Sequence, residues 1–192
     1  MSFMYVSDSR ITEKSLGSTS KGNVAPDIAF IRWALDQMLQ VRQLEQGDAP
    51  AVQRLYERAV RRAEWLPAAV KADPNFARAS QGEAVFVYHS TEGRLVGLLS
   101  VYVPESYIHH VFVDPEFERR GVGTVLLSSL ETWLPLPWRL KCVTANAPAR
   151  AFYASHGWIE VGSGNSDQGP YVLLERRSEP DPDASPTTGR VI

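Results

Sequence analysis

The run Val111–Thr124, reading Val-Phe-Val-Asp-Pro-Glu-Phe-Glu-Arg-Arg-Gly-Val-Gly-Thr, narrows the choice of fold more than any other part of the chain. An apolar strand end is stopped by Asp114-Pro115, a short basic turn follows, and Gly121 and Gly123 flank one residue where a helix begins. The first turn of a helix leaves about four N–H groups unpaired at the positive end of its dipole, so such a start takes an anionic phosphate. Glycine lets the backbone approach a phosphate with no Cβ in the way, and Arg119 and Arg120 add charge at the rim. Two other phosphate motifs do not fit. A Walker A loop ends in Gly-Lys-Ser/Thr, absent here, and a dinucleotide fingerprint has a third glycine where Leu126 stands. A helix start without any ligand is the plain structural alternative.

The rest of the chain sets the frame around this run. Its 192 residues fit one domain with tails, and 44% hydrophobic against 22% charged residues is enough for a core. A formal net charge of −2 does not mark a nucleic-acid binder. Cys142 is the only cysteine, which rules out an intramolecular disulfide and a cysteine-based zinc site, and the four histidines lack metal-ligand spacing, so no metal is expected. The longest apolar runs, Ala84–Tyr88 and Leu95–Leu99, are too short to cross a bilayer, and the polar N-terminus has no signal-peptide core. A cytoplasmic protein with no membrane partner is the default expectation.

The first stretch, through Gly17–Gly22, is aperiodic and rich in small polar residues, and the tail Ser178–Ile192 carries three prolines. The expected organisation is an N-terminal extension over 1–37, largely disordered and dispensable with a short helix at Ile28–Gln37, a compact domain over 38–177, and a disordered tail over 178–192. Within the domain, Gln40–Leu44 predicts a strand. Asp48 predicts the cap of a helix with Pro50 in its first turn and Val52, Leu55, Tyr56 and Ala59 on one face. A second helical stretch surrounds Trp65–Lys71. Ala84–His89 and Leu95–Val103 predict a hairpin about Thr91-Glu92-Gly93, and Tyr107–Val113 a further strand. Helix Val122–Leu134, strand Arg139–Thr144, helix Pro148–His156 closed by Gly157, and strands Trp158–Val161 and Tyr171–Arg176 complete the set. This order is a mixed α/β (α+β) arrangement and not a regular parallel repeat.

Two motifs resemble the GNAT superfamily of acyl-CoA-dependent N-acyltransferases. Val111-Phe112-Val113-Asp114-Pro115 followed by Gly121-x-Gly123 is similar to the strand and Gln/Arg-x-x-Gly-x-Gly/Ala turn of that family, with Glu118 in place of Gln/Arg. Arg119 and Arg120 are expected to offset this acid. Asn146-Ala147-Pro148-Ala149-Arg150-Ala151-Phe152-Tyr153, with Gly157-Trp158 behind it, is similar to the family's second segment, with Trp158 in place of Phe. The resemblance runs from about Leu39 to Arg176. It implies a mixed, mostly antiparallel sheet of about six or seven strands, split in a V, with about four flanking helices. It implies acetyl-CoA as cosubstrate, its pyrophosphate at Arg119, Arg120, Gly121, Val122, Gly123 and Thr124, and its pantetheine arm paired along Val111, Phe112 and Val113 like an added strand.

By the same resemblance Tyr153 is the general acid for the leaving thiolate, a phenol with an ordinary pKa of about 10 being protonated at neutral pH. A core tyrosine is the alternative. Asn146 caps its helix, contacts the cofactor, or both. Strict alternation along the central strand puts Tyr107, His109, Val111 and Val113 on one face and Ile108, His110 and Phe112 on the other. His109, with an imidazole that ordinarily titrates near 6.5, is the first candidate base, with Glu105 or a water chain as alternatives. Arg139 and Lys141 share a face, and would hold an acceptor anion only if that face met the cleft. Arg62, Glu64 and Trp65 lie where family members build the acceptor wall. Cys142, mid-strand with no adjacent activating group, is a poor nucleophile.

The expected activity is therefore acetyl transfer, by direct attack, to a primary amine of a small molecule or protein. An inactive CoA-binding regulatory module of the same fold is the alternative, and a purely structural domain a third reading. The acceptor stays open among protein N-termini, amino acids, polyamines and aminoglycosides. The choice between monomer and homodimer also stays open.

Overall fold

The computed structural model describes residues 3–5 and 41–178. The helix expected at Ile28–Gln37 and all but the first residue of the expected tail lie outside the described residues. Eight strands are present among them: β1 (Phe3–Tyr5), β2 (Val41–Gln43), β3 (Ala84–His89), β4 (Leu95–Tyr102), β5 (Tyr107–Val113), β6 (Trp138–Val143), β7 (Ile159–Ser166) and β8 (Gly169–Arg176). Seven form one sheet in the order β2-β3-β4-β5-β6-β8-β7, and β1 pairs with β5 off this path. Neighbours are antiparallel except β5 with β6 and β1 with β5. β1 falls within the expected N-terminal extension, where the surrounding aperiodic residues gave no strand signal.

The five α-helices of the described residues are α1 (Ala49–Arg62), α2 (Ala68–Ala72), α3 (Phe76–Ala79), α4 (Val122–Ser128) and α5 (Ala147–Ser155). They cover both faces of the sheet, so β4 is buried along all but its last residue. One core gathers α1 and Phe76 against Val85, Val87, Leu98 and Phe112. The other gathers α4 and α5 against Val96, Ile108, Val111, Val113 and Leu140. Gly97 permits the second. A Cβ there would lie 2.8 Å from Val122 Cγ1 and 3.1 Å from Leu126 Cδ1, so the start of α4 rests directly on β4.

Two local expectations are corrected by side-chain bonding. Asp48 makes no cap bond to α1. Its carboxylate accepts instead from Arg42 Nη1 and Nη2 at 2.7 and 2.9 Å and from the Glu45 N–H at 2.9 Å. The helix expected over Val122–Leu134 is α-helical only to Ser128 and tightens to a 3₁₀ turn at Ser129–Thr132. There the hydroxyls of Ser129 and Thr132 donate to carbonyls three residues back, competing with the regular ladder. The second helical stretch is short because Asp73-Pro74 ends α2, and α3 then starts from an Asn75 cap that accepts the Arg78 N–H at 2.9 Å. Among the described residues no helix is long and apolar enough to cross a membrane.

Candidate active site

The turn between β5 and α4 is anchored by a buried acid. Asp114, 2% exposed, accepts from Arg58 Nη2 at 2.6 Å, Arg94 Nη2 at 2.8 Å and the Glu116 N–H at 3.1 Å. The backbone then passes through positive φ at Arg119 (58°) and Gly121 (82°). Gly121 is the N-cap of α4 and no side chain caps the helix there. Nothing lies within 4 Å of a Cβ built on Gly121, so its φ and not crowding requires glycine. These uncapped N–H groups, open to approach, are the donor set that a phosphate needs.

Glu118 is answered from a distance. Arg62 Nη1, in the last turn of α1, lies 3.4 Å from Glu118 Oε1, while Arg120 sits over the Phe117 ring at 5.1 Å. The acid is thus paired with Arg62 and not with Arg119 or Arg120, a partner 56 positions away that no local reading supplies. Thr124 also has a side-chain partner, His156 Nε2 at 2.9 Å. His156 Nδ1 lies 2.8 Å from the Phe152 carbonyl, which only accepts. Nδ1 therefore carries the hydrogen, and in the neutral ring Nε2 accepts from the Thr124 hydroxyl. This bond ties the start of α4 to the end of α5.

β5 and β6 pair only at Tyr107 and Arg139 and then part. This is the split expected of the sheet, and along it β1 pairs with His110, Val111 and Phe112. Tyr153, on α5, is fully buried in the same core as Val111 and Cys142. Its ring packs at 5.3 Å from Phe152 and 5.4 Å from Trp158. Its hydroxyl has no hydrogen-bond partner among the described residues. Burial raises the phenol well above its ordinary pKa and pushes the Cys142 thiol up to about 12, which leaves that cysteine inert. Asn146, also buried, caps α5 by accepting the Ala149 N–H at 3.2 Å.

The alternation expected along β5 fails at one residue. Across the β4–β5 ladder Ser100 faces His110 and Val101 faces Ile108, which leaves His109 as a bulge. Ile108 consequently shares a core with Val111 and Val113, and His109 and His110 both turn to one carboxylate, that of Glu83. Strict alternation would separate the two histidines. Glu83 precedes β3, is 3% exposed, and belongs to no motif. Its Oε1 contacts His109 Nδ1. Its Oε2 accepts from Ser100 Oγ at 2.5 Å and lies 3.5 Å from His110 Nδ1. Burial alone would raise this acid, but hydrogen bonds from His109, His110 and Ser100 outweigh it and hold the carboxyl down at about 2. Burial keeps His110 below the usual histidine range.

The remaining candidates are dispersed. Glu105 is exposed in a 3₁₀ turn before β5. Arg139 Nε donates to Glu175 Oε2 at 2.7 Å and Lys141 Nζ sits 4.7 Å over the Tyr171 ring, so both engage β8. Glu64 is exposed, and Trp65 packs on the α1 core. A cavity of about 570 Å³ opens between α2, α3 and the β7–β8 turn, lined by Tyr56, Val70, Asp73, Asn75, Arg78 and Asp167 among others. The Tyr56 ring stands 5.9 Å from that of His110, so one ring separates this cavity from the Glu83 cluster.

The Acetyltransferase (GNAT) family model matches residues 35–158. Solved structures of similar fold include a GCN5-related N-acetyltransferase from Rhodopseudomonas palustris, with TM-score 0.60, 17% identity, and 72% of this chain and 94% of that one covered. The ribosomal-protein-S18-alanine N-acetyltransferase from Escherichia coli gives 0.55 and 22%, covering 76% and 97%. A spermidine N-acetyltransferase variant from Vibrio cholerae gives 0.54 and 15%, covering 71% and 92%. Likeness at these identities is one of fold. No curated protein sequence matches the chain.

Proposed function

The chain is an acyltransferase of the acetyltransferase (GNAT) family, and from that premise we propose that it moves an acetyl group from acetyl-CoA to a primary amine by direct attack. The observation that carries this reading is Tyr153: a fully buried hydroxyl without a protein partner among the described residues, in the core cluster that also holds Val111 of β5 and Cys142 of β6. A buried polar atom left unpaired costs about 1–3 kcal/mol, and a thiol sulfur in the slot would give it a partner.

Acetyl-CoA, when bound, supplies the acetyl group as a thioester. Arg119, Arg120 and the N–H groups of Gly121, Val122, Gly123 and Thr124 would hold its pyrophosphate. The main chain at Val111, Phe112 and Val113 would take the pantetheine arm as an added strand, as the pairing of β1 along 110–112 illustrates. Asn146 would stand beside that arm while capping α5. Tyr153 Oη would give its proton to the departing sulfur, and His109 Nε2 would take the proton of the attacking amine. The acceptor, a small-molecule amine or a protein amino group, would enter by the cavity at Tyr56. Structural neighbours are named as N-acetyltransferases of spermidine and of a ribosomal-protein alanine, which fits an amine acceptor. A lone buried cysteine suits a reducing, cytoplasmic setting.

The test is release of free thiol from acetyl-CoA with a panel of protein N-termini, amino acids, polyamines and aminoglycosides. Turnover with one class supports the proposal and names the acceptor. Thermal stabilisation by CoA with no turnover on any class replaces it with a binding module, and no stabilisation at millimolar CoA sinks both.

A further inference from the structure

Glu83 is the one nearly buried acid in the described chain that touches two histidines, and no motif draws attention to it. The hydrogen-bond directions around it follow from its charge. An ionised carboxylate only accepts, so His109 Nδ1, in contact with Oε1, must carry a hydrogen. The neutral His109 ring then has Nε2 as its only basic atom. Ser100 spends its single hydrogen on Glu83 Oε2. His110 Nδ1, 2.7 Å from Ser100 Oγ, is therefore the donor in that pair. One carboxylate thus sets the tautomer of both rings, and the bulge at His109 is what brings both within its reach. The other groups facing His109 are aromatic: the Tyr107 ring at 4.8 Å and the Tyr102 ring at 6.4 Å. Beyond His110 stand Tyr56 and Phe76. Among the carboxylates of the described residues, Glu83 is the one recorded in contact with either ring.

We propose that Glu83 is a positioning residue for acyl transfer, holding His109 in the Nδ1–H form so that Nε2 is the atom that accepts the acceptor's proton. The inference depends on the acetyl-transfer reading of His109 given above. In that step His109 Nε2 gains the amine proton as the N–C bond forms. Tyr153 Oη gives its proton to sulfur as the C–S bond breaks, and exchange with water restores both groups. An ion pair also stabilises the imidazolium that results, so Glu83 serves before and after proton transfer. The arrangement follows the logic by which a buried carboxylate orients a catalytic imidazole without itself taking the proton.

The experiment has two readouts on the full chain. Nitrogen-15 NMR of the histidine rings should find His109 of the wild-type protein in the Nδ1–H form at neutral pH, and Glu83→Gln should turn it to a mixture. In kinetics, Glu83→Gln should lower kcat about 100-fold, within the range that general-base catalysis contributes, and leave the acetyl-CoA KM within about twofold. An Nε2–H tautomer in the wild type, or an unchanged kcat in a folded Glu83→Gln protein, overturns the proposal. The wild-type tautomer needs no variant, so poor folding of Glu83→Gln does not remove the test. If no amine is acetylated by the wild type, the acetyl-transfer reading fails by itself, and the tautomer still decides whether Glu83 fixes His109.

Discussion

Arg62 Nη1 lies 3.4 Å from Glu118 Oε1, joining the last turn of α1 to the acid in the turn between β5 and α4. Without that cation, Glu118 would face an incoming pyrophosphate as an unanswered negative charge. Arg62→Ala is therefore expected to raise the acetyl-CoA KM with little change in kcat. The rise should be about tenfold at most, because a half-exposed pair is worth about 1 kcal/mol or less. Glu118→Gln in the same protein should restore the KM, and a double variant no better than Arg62→Ala refutes the relationship.

Tyr153→Phe separates function from stability. Removing the hydroxyl should cut turnover about 100-fold, as loss of a general acid does, with acetyl-CoA affinity unchanged. The same change removes a buried polar atom that has no partner among the described residues. The melting temperature should hold or rise in the absence of cofactor. Unchanged turnover, or a marked fall in melting temperature, would contradict this account of the residue.

Acid should unfold the protein through the Glu83 cluster. With the Glu83 carboxyl held at about 2 in the fold and at about 4.3 when unfolded, its stabilisation is complete above about 4.3 and is lost as pH falls toward 2. His110, kept below its ordinary range by burial, adds a loss that begins earlier, as the unfolded chain gains a proton near 6.5. Melting temperatures measured from pH 7 to pH 2 should fall in that order. Glu83→Gln should flatten the lower part of the curve, and an unaltered curve would count against the cluster.

β1 pairs with His110, Val111 and Phe112, two of which are proposed to bind the pantetheine arm. The two cannot use the same main-chain groups at once. A chain beginning at Met38 should bind CoA more tightly, by the fraction of molecules that β1 otherwise withholds, about three- to tenfold. Isothermal titration of both chains measures this, and equal or weaker binding by the shorter chain rejects the competition.

The strand, turn and helix start of Val111–Thr124 and the capped helix of Asn146–Trp158 were legible because each is a local pattern: glycine where φ is positive, asparagine where a helix needs a cap, proline where a strand must stop. The order of elements along the chain from β2 onward followed from the same punctuation. The Glu83 cluster was not legible, because it is a matter of register. Glu83 meets His109 across 26 positions only through the β3–β4–β5 ladder and a bulge that no residue type at 109 announces. Arg62 and Glu118, 56 positions apart, are hidden for the same reason. Asp48 was read as a cap from its place before Pro50, and lost that role to a bidentate arginine on the neighbouring strand.

Asp114 draws together Arg58 of α1, Arg94 of the β3–β4 turn and the backbone of its own turn around one buried carboxylate. Those three segments are distant in the chain, so none can hold its share of the knot before the others arrive. The turn between β5 and α4 therefore has no low-energy opening of its own. The bonded amides of Asp114 and Glu116, at the centre of that knot, should exchange with solvent only when the sheet comes apart.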